Sequence, residues 1–359
     1  MSCSNTTIPA ADHGGATAIT AVHPEIIQTH ILKRLDGATL ASAGSAFSQL
    51  RALCSEENLW RDICNSTWPS TTDPILRHVI SAFPSGHRSF FSDAFPTIHH
   101  HRPRQGPQEE HHHHHRRRPS PSPELISAVD ILYGEKLIYS KVIVSETASG
   151  WFLSSPFRID LLSMKETVPT PVKFDGDEAT TVAHLEEHLR LSWILIDPSA
   201  KRAVNISSLK PVNIRRHWLT GDIKIRFGTV VDGGGISDEE VVQCSVVAMC
   251  EGKEGGELHV REVSMQVEDV DGKTMNGKDS MVILQDAMER KRKKREEGEA
   301  KEGYKKFVEY KKQWREIKQR RENRLDMACI AGGITILMAF FTLVLLGSER
   351  GRIYFSHLF

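Results

Sequence analysis

The chain has 359 residues, and its 46 basic and 46 acidic side chains give a formal net charge of zero. As a whole it is neither a polycation nor a polyanion, so nucleic-acid binding is not expected. Six cysteines, at positions 3, 54, 64, 244, 250 and 329, include no C-x-x-C and no Cys/His group with zinc spacing. They read as free thiols of a reducing compartment, with no metal site and no cofactor expected.

Residues 1–20 are rich in Ser, Thr, Ala and Gly and are expected to be disordered. They lack the basic and apolar regions of a secretory signal. From Val22 to Cys64 the pattern becomes helical. Pro24 suits a first turn, and Ile27, Ile31 and Leu35 recur at a spacing of four, which predicts one broad apolar face. Asp36-Gly37 reads as the close of that helix. A second short helix is predicted through Leu40, Ala43 and Phe47, and a third around Leu59, Trp60, Ile63 and Cys64. Three such helices, placed in residues 21–68, carry more apolar surface than they can bury alone, which marks an interaction module.

This stretch resembles an F-box. Pro24-Glu25-Ile26-Ile27, Ile31-Leu32-x-x-Leu35-Asp36, Leu50-Arg51-Ala52-Leu53 and Leu59-Trp60-Arg61-x-x-Cys64 stand in the family's order. His23 replaces the usual Leu before the proline. Ser45-Ala46-Phe47-Ser48 and Leu50 replace the usual Val-Ser and Trp. The resemblance implies a non-catalytic subunit whose helices insert into a Skp-type adaptor, and through it reach a cullin and a RING subunit. Pro24, Ile27, Ile31, Leu32, Leu35, Leu40, Leu59 and Trp60 would be its contacts. The same residues otherwise form an internal core, and Trp60 fits either place.

Residues 69–96 read as a connecting segment. Residues 97–123, dominated by His, Arg and Pro, read as a solvated linker whose His111 to His115 run lacks the surroundings of a defined metal site. Residues 124–286 form a β-rich domain. Strands are predicted over 138–144, 157–162, 189–196, 223–227, 241–249 and 258–267, with a short helical turn at 184–188. The spacing predicts an antiparallel sandwich or barrel. Asp232-Gly233-Gly234-Gly235 reads as a hairpin turn and not a phosphate loop, since no Gly-Lys-Ser/Thr follows. Arg215, Arg216, His217 and Trp218 are the candidate substrate-binding patch, the alternative being that Trp218 fills the sheet edge. No nucleophile, base and orienting group stand in a catalytic arrangement, so no catalytic residue is assigned. The phrases Ser192 to Val212 and Arg215 to Gly228 look like the C-terminal domain of plant F-box proteins, some of which end in a membrane helix. They are more distantly similar to phloem-lectin-like domains, which would imply a glycan ligand.

Residues 287–326 are predicted as a basic juxtamembrane helix on which Phe307, Tyr310, Trp314 and Ile317 share a face. Met327 to Leu346 carries no charge over twenty residues, about 30 Å of helix, and is predicted to span a membrane. Residues 290–324 hold sixteen Lys and Arg against seven Glu, which keeps the N-terminal side in the cytosol. With the tail at 347–359 the layout is that of a tail-anchored protein, on the endoplasmic reticulum or another endomembrane. The sequence therefore reads as an α+β chain of several domains. A small three-helix F-box is followed by a mainly antiparallel β domain, a basic helix and one transmembrane helix. The function expected is substrate recognition for a Skp–cullin–F-box ubiquitin ligase; the alternative is a membrane-anchored binding or lectin-like protein with a degenerate F-box.

Overall fold

The computed structural model describes residues 22–98, 122–173, 177–233, 241–252, 255–293, 296 and 298–356. Residues 1–20, the His run and the Gly234-Gly235 half of the predicted glycine turn lie outside these residues. The chain divides into two compact units between Tyr304 and Lys305.

The larger unit opens with helices. The first, α1, starts as a helical turn at Pro24–Ile26, widens into a π-helical turn over Ile27–Ile31 and tightens into a 3-10 turn at Leu32–Arg34. It is followed by α2 (Gly37–Ala43), α3 (Ser48–Cys54), α4 (Glu57–Thr67), a 3-10 turn at Pro69–Thr72, α5 (Pro74–Ser81) and α6 (Gly86–Ala94). The second helix expected from sequence through Leu40, Ala43 and Phe47 thus stops at Ala43, and Phe47 is extended ahead of a further helix. The stretch read as a connecting segment is helical and supplies a wall of the core. Phe90 and Phe91 of α6 are buried against Trp60 and Trp68, with Trp60–Phe91 centroids 5.3 Å apart and Trp68–Phe90 edge-to-face at 5.8 Å.

The β region forms two antiparallel sheets. One has four strands in the order β3 (Lys136–Glu146), β2 (Glu124–Tyr133), β6 (Leu189–Asp197), β7 (Arg202–Asn205). The other runs β4 (Arg158–Asp160), β11 (Glu257–Glu268), β10 (Val241–Glu251), β9 (Ile223–Asp232), β8 (Asn213–Arg216), with β5 (Val168–Lys173) also on β11. Leu125, Val129, Leu191 and Trp193 from the first sheet meet Phe227, Val246, Val263 and Met265 from the second in one core. The arrangement is a sandwich. Helices α7 (Gly150–Ser154), α8 (Glu178–His188) and α9 (Gly277–Glu289) flank it.

The helices occupy the second face of the four-stranded sheet. Ile126, Ala128, Ile194, Ile196 and Ala203 point away from the sandwich core into a cluster with Leu76, Ile80, Phe90, Phe91 and Ala94. A middle layer needs apolar residues on both faces, so β2 and β6 are buried almost throughout instead of alternating.

Two polar clamps fasten the helical layer. Asp130 on β2 is fully buried, and its carboxylate accepts from the Ser70 N–H at 2.8 Å, the Ser70 hydroxyl at 2.6 Å and the Ser140 hydroxyl at 2.7 Å. At the far end, Asp93 accepts from the Ala203 N–H at 3.1 Å and pairs with Arg202 at 3.0 Å. Arg292 donates to the carbonyls of Asp93, Ala203, Ala287 and Met288 at 2.7–3.0 Å. Its two-residue strand β12 (Arg292–Lys293) pairs with β1 (Thr97–Ile98). The basic run at 290–324, assigned from sequence to membrane topology, thus contributes a half-buried structural cation in Arg292, and its partial burial lowers its pKa. The predicted linker begins and ends in fixed contacts, since the Ser122 hydroxyl donates to the Glu124 carbonyl. Residues 99–121 lie outside those described.

The last helix, α10 (Glu299–Ser356), is about 87 Å long at 1.5 Å per residue. Its Glu299–Val344 portion contains a window of mean hydropathy 2.2, long and apolar enough to cross a membrane. Ile334, Leu337, Phe340 and Phe341 are all exposed.

Burial raises the Asp130 carboxyl above the ordinary carboxylate range, against the Ser70 and Ser140 hydrogen bonds. A raised acid favours folding most below its unfolded value and loses that contribution as pH rises through its folded value. The stability advantage of wild type over Asp130→Asn is therefore expected to shrink from pH 4 toward neutrality. Asp130→Ala leaves three donors without an acceptor and is expected to cost about 1–3 kcal/mol at neutral pH. Urea unfolding of the detergent-solubilised chain across this range measures both.

Candidate functional site

The eight residues proposed from sequence as adaptor contacts separate into two sets. Ile27, Leu32, Leu40, Leu59 and Trp60 are at most 3% exposed and belong to the chain's own core. Trp60 also donates its indole N–H to the Cys54 carbonyl at 2.7 Å. Pro24 and Ile31 are exposed, and Leu35 is half-buried.

The π turn accounts for this division. The Leu32 N–H reaches the Ile27 carbonyl five residues back, so residues five apart align. Ile27 and Leu32 face inward together, while Ile26 and Ile31 face outward together, 50% and 49% exposed. A regular helix with a four-residue repeat would have placed Ile27, Ile31 and Leu35 on one face, as the sequence reading expected. Asp36 does not close this helix. It caps the next one, accepting from the Thr39 N–H at 2.8 Å, which holds its carboxyl below the usual range. Gly37 begins α2 and is buried, and a Cβ there would meet the Phe91 ring at 2.2 Å. The exposed edge of α1 thus presents Pro24, Ile26 and Ile31 on a base anchored by α2 and α6. Gln28 of α1 also donates to the Glu56 carboxylate just before α4.

The second candidate surface is the turn joining β8 and β9. Arg215 and Arg216 end β8. Trp218 is 88% exposed and Leu219 71%, so Trp218 does not fill the sheet edge. His217 stacks beside Trp218, with centroids 6.4 Å apart. This is an apolar tip on a basic strand, on the sheet that does not carry the helical layer.

Cys54, Cys64, Cys244 and Cys250 are buried, and burial pushes Cys244 and Cys250 up to about 12. Sequence reasoning missed Asp130 and Arg292, which with Asp93 and Arg202 join the helical layer to the sheet. The signal for Asp130 was a lone carboxylate in the largely apolar run Leu125 to Tyr133, a position that requires internal donors.

The geometry is that of a small helical module with an exposed apolar edge, built onto one face of a β sandwich. No protein-family model matches the sequence, and no solved structure matches the chain. Curated relatives do. The chain is 48% identical over 338 residues to F-box protein At2g27310 of Arabidopsis thaliana, covering 92% of this chain and 97% of the relative. It is 41% identical over 353 residues to F-box protein At3g44326 (95% and 94% covered) and 44% identical over 329 residues to probable F-box protein At2g36090 (90% and 93%), both also from Arabidopsis thaliana. Each match takes in the β sandwich as well as the helical module. The chain belongs to the family of F-box proteins.

Proposed function

We propose that this chain is the substrate-recognition subunit of a Skp–cullin–F-box ubiquitin ligase, tethered to an endomembrane by residues 327–346. It recruits a protein target for ubiquitination, and the chemistry is carried by other subunits. The observation that carries the reading is the apolar edge of α1, with Ile26 and Ile31 each about half exposed at the start of a chain of F-box family membership. Exposed aliphatic residues on a small helix anchored from behind are suited to a partner's groove. The proposed adaptor surface is Pro24, Ile26, Ile31 and Leu35, with Ile27, Leu32, Leu40, Leu59 and Trp60 holding it in place.

The tether reading rests on the apolar portion of α10 and on the sixteen basic residues against seven acidic ones at 290–324. Asn205-Ile206-Ser207 has the pattern of an N-glycosylation site, and its burial supports a cytosolic position for the sandwich. Asn205 is 3% exposed, accepts from the Ser207 N–H at 3.1 Å and donates to the Ser192 hydroxyl at 3.0 Å, leaving no room for a glycan.

Ile26→Glu with Ile31→Glu is expected to abolish pull-down of a Skp-type adaptor while shifting stability by no more than about 0.5 kcal/mol, as for exposed positions. Ile27→Ala is expected to cost about 2–4 kcal/mol of stability. Adaptor capture that survives the double substitution contradicts the assignment. A chain ending at residue 326 is expected to leave the membrane pellet on alkaline carbonate extraction, whereas the full chain stays. Release of the full chain contradicts the tether.

A further inference from the structure

The β8–β9 turn is a rigid knuckle that displays apolar surface. The His217 N–H donates to the Asp222 carbonyl at 2.7 Å, and the Gly221 N–H donates to the His217 carbonyl at 2.9 Å. Gly221 takes the left-handed conformation, φ +75°, that the turn requires. The Thr220 hydroxyl donates to Asp222 at 2.7 Å, Arg216 Nε donates to the Gly221 carbonyl at 3.1 Å, and Arg261 pairs with Asp222 at 3.0 Å. The turn's polar groups are thus engaged with one another, while Trp218 and Leu219 project outward. A rigid tip presenting Trp loses little conformational freedom when a partner covers it.

The charges beside it are unbalanced. Arg215 and Lys224 are directly opposed across the β8–β9 ladder and so share one face. Arg215 Nε donates to the Asn213 side chain at 2.8 Å, and among the described residues neither cation meets a carboxylate. On the same sheet Arg226 pairs with Glu268, Arg158 with Asp160 and Glu262, and Arg261 with Asp222. Like charges placed opposite each other repel, and a counter-anion relieves that repulsion.

We propose that this knuckle, Trp218 and Leu219 with Arg215 and Lys224 beside them, docks an acidic segment of the target protein that carries a neighbouring apolar side chain. The inference rests on the receptor reading above and names the chemistry of what the β domain recognises. β8 is the outermost strand of its sheet. An extended segment laid along it places carboxylates over Arg215 and Lys224 and an apolar residue on Trp218.

The test uses the full chain in phosphatidylcholine nanodiscs and two pools of short synthetic peptides. One pool carries Asp or Glu beside Leu or Phe; the other has Asn or Gln in place of the acids. Binding is expected to the acidic pool, with the amide pool at least roughly tenfold weaker. Trp218→Ser is expected to weaken acidic-pool binding roughly thirtyfold, the effect of losing an interface anchor. Arg215→Glu with Lys224→Glu is expected to remove the preference for acids. Equal binding of the two pools overturns the proposal. So does full acidic-pool binding by either variant, or Trp218-dependent attachment to phosphatidylserine vesicles instead of peptide. Adaptor pull-down, run in parallel, is unchanged by these substitutions, so failure of the knuckle is distinguishable from failure of the ligase reading.

Discussion

Burial of the four-stranded sheet on both faces is the constraint on which the larger unit depends. One face closes the sandwich and the other is covered by Leu76 and Ile80 of α5 and Phe90 and Phe91 of α6. Ionisable groups then become unavoidable at the seam, because an α-helical layer and a β-sheet expose backbone groups to each other at their margins. Asp130 satisfies the 3-10 turn at Ser70, and Arg292 satisfies the carbonyls at the end of α6 and the start of β7. Asp130 is fully buried and Arg292 partly so, and there an unpaired charge would be costly while a fully bonded one fixes a single docking geometry.

That coupling bears on function. The α1 edge proposed to meet the adaptor and the β8–β9 turn proposed to meet the target lie in one compact unit, joined by a common core and two hydrogen-bonded clamps. Although residues 99–121 separate the helices from the sandwich in sequence, the chain segments on either side are pinned, Thr97–Ile98 by β12 and Ser122 by Glu124 and Thr147. A receptor built this way sets the offset between adaptor and target by packing, without relying on the linker's length.

Much of this was legible in the residues, and the failures have a common physical origin. The strands at 138–144, 241–249 and 258–267 and the helical start at Pro24 announce themselves through local periodicity and turn residues. So does the apolar stretch from Met327. Other features depend on long-range partners. β2 was not picked out because its apolar run is broken by Asp130, whose donors Ser70 and Ser140 are supplied from elsewhere in the fold. Leu59 and Trp60 looked like surplus surface because the cluster that buries them includes Phe90 and Phe91, with Phe91 against Trp60, in a segment taken for a connection. The π turn that sends Ile31 outward is a matter of one extra residue per turn, which a four-residue repeat conceals. Arg292 was hidden in a run of basic residues whose other members gave no hint that one turns inward.

Native-state hydrogen exchange under increasing urea tests the shared core most directly. Amides of Phe90 and Phe91 in α6 and of Trp193 and Ile194 in β6 should converge on one opening free energy and one urea dependence, since neither layer is complete without the other. If the α6 amides exchange through a separate, lower-energy opening while those of β6 stay protected, the helical layer is an independent domain resting on the sandwich, and the coupling described here does not hold.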